Sequence, residues 1–328
     1  GGGSAMGFDL LYWDGERKDT PLGAQDMAVD LKMDILWEAM AGGDGAVYEA
    51  CKAVMMQPLR TVDAIMSRRQ VVQDAIAHEA AIRAVLDTAG EAIGRVRAYE
   101  EYTKPKYDKI ISNSNRIVAE AEMAMILIPA IRGVRKALGE KDRTFSSDGF
   151  GRLCESVKAA YSDAYLSRVQ ARIEEVSALK GSYGMKISGH VGEGLRQEGV
   201  ALSRILPEGR QRRPAFASRG TAIPLASVAL VQNAQEIIES ALARVLRPMA
   251  AFNRSALSLL KELGGQLRFY AGCARLKREL DSLGVALCYP DMGPEEKRHE
   301  AAGLVDAGLA LKEKRMPVSN NICLTEYN

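Results

Sequence analysis

One stripe of residues constrains this chain more than any other feature. From Met249 to Leu283 the apolar residues Met249, Phe252, Ala256, Leu259, Leu263, Leu267, Tyr270, Cys273, Leu276, Leu280 and Leu283 recur at steps of three and four. That is the period of one face of an α-helix. At a rise of 1.5 Å per residue the helix would be about 50 Å long. A helix of that length either crosses a small domain from end to end or projects from it. A second stripe precedes it, with Leu230, Ala234, Ile237, Ala241 and Val245. Pro248 lies between the two and is expected to kink or separate them, because proline lacks the N–H that a helix interior needs.

The chain upstream is also mainly helical. Asp26 opens a pattern in which Met27, Leu31, Ile35 and Met40 share a face, and Ala-Gly-Gly-Asp-Gly at 41–45 ends it. A helix through Val47, Cys51 and Val54 stops before Pro58. Thr61 is a suitable N-cap for the next, with Asp63 in its first turn. Two or three more helices are expected over 79–138, then a polar loop at 138–151, then a long helix over about 153–180. At 184–206 the period changes to two. Met185, Ile187 and Val191 alternate, and a Gly-Glu-Gly turn leads to a returning strand, which predicts a β-hairpin. Residues 206–220 form a Pro- and Gly-containing linker rich in arginine. Glycine-rich strand-and-turn material resumes after residue 284.

Composition narrows the class. The 328 residues allow two or three domains, and 47% hydrophobic residues are ample for a core. Net charge is +2, so only local clusters can argue for a polyanionic partner. Cys51, Cys154, Cys273, Cys288 and Cys323 are odd in number and show no C-x-x-C, so reduced thiols in a cytoplasmic protein are expected. No apolar run is long enough to span a membrane. Residues 1–7, GGGSAMG, read as an expression linker.

No catalytic constellation is complete. The P-loop pattern G-x-x-x-x-G-K-[ST] does not occur. The histidines are His78, His190 and His299. Only Glu296-x-x-His299 has metal-ligand spacing, and a carboxylate-bridged metal bundle needs two such pairs plus two further glutamates. Ser258-x-x-Lys261 matches an acylating serine in letters but lies within the long amphipathic stripe. The remaining chemistry is the cluster Arg210, Arg212, Arg213 and Arg219, whose guanidinium forks suit phosphate. Phe216 is the one aromatic among them, which argues against stacking on single strands.

Three stretches, in order, resemble the MutS family of DNA mismatch-repair ATPases. Residues 30–76 resemble its helical core, with Asp30-Leu31 opening a helix, then Pro58-Leu59, Asp63 and Arg69-Gln70. Residues 267–292, LRFYAGCARLKRELDSLGVALCYPDM, look like the lever helix returning to the ATPase. Residues 316–328, MPVSNNICLTEYN, look like the approach to the ATPase strand and P-loop. The likeness is greatest to a bacterial MutS-like branch lacking the mismatch-reading domain.

The resemblance implies a mainly α fold of helical core and long lever helices, with a small β-hairpin and a short β-containing C-terminal tail. It places the core at 8–150 and the levers at 151–284, with the hairpin and basic linker inserted at 184–220. Residues 285–328 would begin an ATPase domain cut before its P-loop. ATP and Mg²⁺ would then act in the full-length parent and not in this fragment. Pro317, Val318, Ser319, Asn320 and Asn321 match the segment beside adenine, Val318 through its backbone and Asn320 through its amide. The family's stacking aromatic beside Pro317 is missing here. Lys186, Arg196, Arg210, Arg212 and Arg213 are the expected phosphate contacts to double-stranded DNA, without base reading. The parent is expected to be a homodimer whose ATP state alters its grip on DNA. A helical scaffold or dimerisation module is the alternative, with the long stripe as a partner-binding seam.

Overall fold

The computed structural model describes residues 9–12, 20–107, 113–139, 145–177, 183–191, 197–207, 228–293 and 298–324. The described chain is mainly helical. Helices α1 (Ala24–Asp30), α2 (Met33–Ala41), α3 (Gly45–Met55), α4 (Val62–Ala77), α5 (Glu79–Tyr107), α6 (Asn113–Gly139), α7 (Asp148–Ala160) and α8 (Asp163–Ser177) come first. Strands β1 (Tyr183–Val191) and β2 (Gln197–Pro207) follow, then α9 (Val228–Ser282), β3 (His299–Leu304), α10 (Ala307–Glu313) and β4 (Asn320–Leu324). Each pair, β1 with β2 and β3 with β4, forms a two-stranded antiparallel sheet.

Several boundaries follow from local chemistry. The Thr61 hydroxyl accepts from the Ala64 N–H at 3.3 Å and starts α4. Asp44 does the same for α3, accepting from Ala46 and Val47 at 2.8 and 3.2 Å. Gly42 closes α2 in the left-handed region, φ 57°.

Three expectations change. The pattern that began at Asp26 is two helices, broken at Lys32, which has φ 49°. Asp30-Leu31 therefore ends α1 instead of opening a helix, and Met27 and Leu31 are exposed while Met40 is buried. The helix expected over 153–180 is α7 and α8. The Ser162 hydroxyl accepts from the Tyr165 N–H at 3.2 Å and caps α8, while Tyr161 stays buried beside it. The apolar spacing survives this break, so the period alone does not reveal it. Pro248 does not separate the late helices: α9 is one helix of 55 residues with Pro248 inside. An interior proline costs about 3 kcal/mol. Burial of Leu246, Met249 and Phe252 on both sides of it opposes that cost.

The chain divides into two compact units. One comprises Gly1–Glu91, Arg132–Ala160 and Leu259–Asn328, the other Ala92–Ile131 and Tyr161–Ser258. Helices α5, α6 and α9 contribute residues to both. In the first unit Leu259, Leu260, Leu263, Leu267 and Tyr270 of α9 are fully buried, as are Ile82, Phe150 and Leu153. The same unit pins the start of the described chain. Leu10 donates its N–H to Gln266 Oε1 at 2.7 Å, and its carbonyl accepts from the Tyr270 hydroxyl. Arg68 donates to the Leu11 carbonyl and lies over the rings of Tyr12 and Phe269. Burial pushes the Tyr270 phenol well above its usual range, so it remains a neutral donor.

In the second unit Leu127, Leu166, Ile173 and Ala256 are buried. Phe252 meets Tyr161 and Tyr165 with ring centroids 6.2 Å away in each case. The Tyr161 hydroxyl is 2.8 Å from Ser255 Oγ, and Asn253 Nδ2 donates to the Glu120 carbonyl at 2.8 Å.

Candidate functional site

The C-terminal site is built on the end of α9. Gly284, with φ 77°, reverses the chain, and the Val285 N–H bonds back to the Leu280 carbonyl at 3.0 Å. This places Val285 beside Leu280, where both join Ala310 and Leu311 of α10 in a small core. Ile35, Leu36 and Ala39 of α2 pack against it. The Asp306 carboxylate accepts from the Leu309 N–H at 2.8 Å and starts α10, and Lys314 ends it at φ 54°. The chain then runs through 316–319 into β4.

Here the five positions expected beside adenine can be located. Pro317 is half-buried; Ser319, Asn320 and Asn321 are exposed, and Val318 is 87% exposed. Asn321 already has a partner, since its Oδ1 accepts from the Gly303 N–H at 2.8 Å. This bond sits at the irregularity between Ala301 and Leu304, where β3 and β4 slip register. A cavity of about 390 Å³ lies nearby in sequence, lined by Glu38, Gly42, Arg275, Glu279, Lys312 and Lys314 among others. None of 317–321 lines it.

The segment after α9 is held to the first unit by Arg69. Its guanidinium is 5.0 Å from the Tyr289 ring centroid and donates to the Pro290 carbonyl at 3.2 Å. Arg275 Nε donates to the Ala39 carbonyl at 3.2 Å, a cation at the C-terminal end of α2. Sequence reasoning singled out neither arginine by role, because both partners lie about two hundred residues away.

The expected DNA contacts are less completely placed. Lys186 lies on β1 opposite Arg204 of β2, next to a register shift between Lys186 and Ile187. The hairpin itself is present as expected. Arg196, Arg210, Arg212 and Arg213 lie outside the described residues, as does Arg219.

A buried carboxylate was missed altogether. Asp74, near the end of α4, is 4% exposed. Its oxygens accept from Ser147 N at 2.7 Å, Ser146 Oγ at 2.8 Å and Ser146 N at 3.0 Å. Burial alone would raise its pKa, but these donors outweigh that and hold the carboxyl below its usual value. The clamp fixes the turn before α7, where Ser147 Oγ in turn accepts from the Phe150 N–H. Phe145 stacks on Phe150 at 4.5 Å and meets the edge of His78 at 4.9 Å, so His78 takes part in packing. Among the described residues, no three or more His, Cys, Asp or Glu side chains converge as metal ligands. The five cysteines are unbridged, and burial pushes the Cys51 thiol up to about 12. No described helix is long and apolar enough to cross a membrane.

A mainly helical chain with an inserted hairpin and a long late helix is the arrangement that the sequence likeness implied. A family model described as the MutS2 N-terminal domain matches residues 60–283, more than half of the chain. These features define a MutS-family protein. Within that class, the chain belongs to the MutS2 N-terminal domain family. No curated protein and no solved structure matches it.

Proposed function

We propose that this chain is the core and lever part of a DNA-binding ATPase, acting to couple nucleotide state to a grip on double-stranded DNA. The observation that carries the reading is the family match over 60–283, which spans both the hairpin and the whole of α9. In this reading α9, a single 55-residue helix, is the mechanical element. A stiff helix transmits displacement because bending it would break its backbone hydrogen bonds. ATP and Mg²⁺ act in the full-length parent, a homodimer, where nucleotide binding changes the clamp. The adenine-side groups are Pro317, Val318, Ser319, Asn320 and Asn321. This chain alone does not hydrolyse ATP, because it carries no phosphate-cradling Gly-Lys-Ser/Thr sequence. Lys186, Arg196, Arg210, Arg212 and Arg213 hold phosphates on the duplex.

The test is binding of a labelled duplex by the whole chain at several salt concentrations. Phosphate contacts release counterions, so log K should fall linearly with log salt, by about 0.9 per contact. The triple variant Arg210→Glu, Arg212→Glu, Arg213→Glu should lose most binding at every salt. A wild-type chain that fails to bind duplex at low salt but self-associates in ultracentrifugation would overturn the proposal in favour of a scaffold.

A further inference from the structure

Between Glu239 and Glu262, α9 has no acidic residue. Over the same stretch the second unit presents Arg244, Arg247 and Arg254, all exposed. At about 100° per residue the three fall within an arc of about 80°. The buried residues Met249, Phe252 and Ala256 centre roughly opposite that arc. The arginines therefore point away from the core.

Their surroundings lack acids at helical spacing. Some exposed helical cations of this chain pair with acids one turn away, Arg83 with Glu79, Arg97 with Glu101 and Lys277 with Asp281, while others such as Arg168 do not. Around Arg244, Arg247 and Arg254 the positions four residues away hold Ser240, Pro248, Ala243, Ala251, Ala250 and Ser258. Among the described residues none of the three arginines has an ion-pair or hydrogen-bond partner. Arg244 and Arg247 also repel each other across one turn, which weakens the helix by a few tenths of a kcal/mol. Stability is thus not what the arrangement serves. Unpaired guanidinium groups, flanked by small side chains that let a surface approach, are suited to phosphate oxygens.

We propose that the face of α9 bearing Arg244, Arg247 and Arg254 is a second nucleic-acid contact, holding the backbone of double-stranded DNA. This rests on the DNA-binding reading above and adds a surface distinct from the hairpin and linker. Arg244 to Arg254 spans about 15 Å along the helix, enough to meet successive phosphates of one duplex. No aromatic side chain is exposed on this face, since Phe252 is buried, so the contact is to backbone and not to stacked bases.

The experiment follows duplex binding by fluorescence anisotropy from low to moderate salt. The whole chain is compared with the triple variant Arg244→Gln, Arg247→Gln, Arg254→Gln, the corresponding triple Lys variant, and the 210/212/213 variant. Glutamine and arginine have similar helix propensity, so melting should be unchanged in the Gln variant. The Gln variant is expected to bind about tenfold or more weakly at low salt, and its log–log salt slope to shrink by about 2.7. The Lys variant should keep the slope. If wild type binds and the 210/212/213 variant is weakened but the Gln variant matches wild type, this inference fails and the broader reading stands. If wild type binds no duplex, both fail. If wild type binds labelled polyglutamate but not duplex, and the Gln variant loses it, the face recognises an acidic protein and the proposal is overturned.

Discussion

Replacing Asp74 with alanine will lower the melting temperature by about 6–12 °C at neutral pH. The carboxylate accepts three hydrogen bonds, from Ser146 N, Ser146 Oγ and Ser147 N. A hydrogen bond to a charged group contributes about 1.5–3 kcal/mol, and a buried donor left without a partner costs about 1–3 kcal/mol. The Ser146 hydroxyl can turn to solvent, and its N–H lies in an exposed residue, but Ser147 is buried. A loss of about 3 kcal/mol is therefore expected, which the entropy of unfolding for a unit of this size converts into about 2–4 °C per kcal/mol. The variant also carries a pH signature. The folded-state pKa of Asp74 is depressed, so its stabilising contribution is complete above the unfolded carboxyl pKa of about 3.9. That contribution disappears as pH falls through the lower, folded value. Asp74→Asn should hence be less stable than wild type near pH 7 and approach it as pH falls below about 3.9, the unfolded carboxyl value, toward the lower folded one. Acid-unfolding curves that stay parallel for the two proteins would show that Asp74 is not the linked group.

The second large effect is a contrast within α9. Gly265→Ala should raise stability by up to about 1 kcal/mol, while Gly272→Ala should lower it by about 1–2 kcal/mol and Gly272→Val by more. Alanine is favoured over glycine in a helix interior by about 1 kcal/mol. At Gly265 an added methyl group meets nothing within 4 Å, so only that gain operates. At Gly272 the methyl would sit 2.5 Å from Cys51 Sγ and 3.2 Å from Met40 Cβ. Cys51 is fully buried and Met40 nearly so, which leaves little room to yield. Overpacking of that kind costs about 1–3 kcal/mol and outweighs the propensity gain. Denaturant titration of the two single variants checks this. Equal shifts of the same sign would mean that α9 does not approach α2 and α3 as closely as described.

Legibility differed from element to element. The stripe from Met249 to Leu283 read correctly as helix because its period repeats many times and each repeat depends only on neighbours three or four residues away. The hairpin also read correctly, since the alternation Met185, Ile187 and the Gly-Glu-Gly turn are local signals. Pro248 misled for the opposite reason. Its local cost is real, but burial of Leu246, Met249 and Phe252 opposed it. The break at Tyr161 and Ser162 was hidden because a cap can interrupt a helix without disturbing the spacing of its apolar residues. The stretches that resemble MutS-family proteins pointed to the family that the match over 60–283 shows. The adenine-side and phosphate-contact residues came from resemblance and not from local chemistry.

By itself the sequence determined that the chain is mainly helical, where Thr61 starts a helix, that a hairpin interrupts the helices, and the family. Those are properties of residues within one turn or one strand pair of each other. Only the tertiary structure decided that Gly272 must remain glycine, that Asp74 is an internal clamp, and that Arg69 holds Tyr289 and Pro290. It also decided that the arginines of α9 face outward, away from the buried side. Each of these depends on atoms brought together from distant parts of the chain, or on which side of a helix is covered, and neither is encoded in any short window of residues.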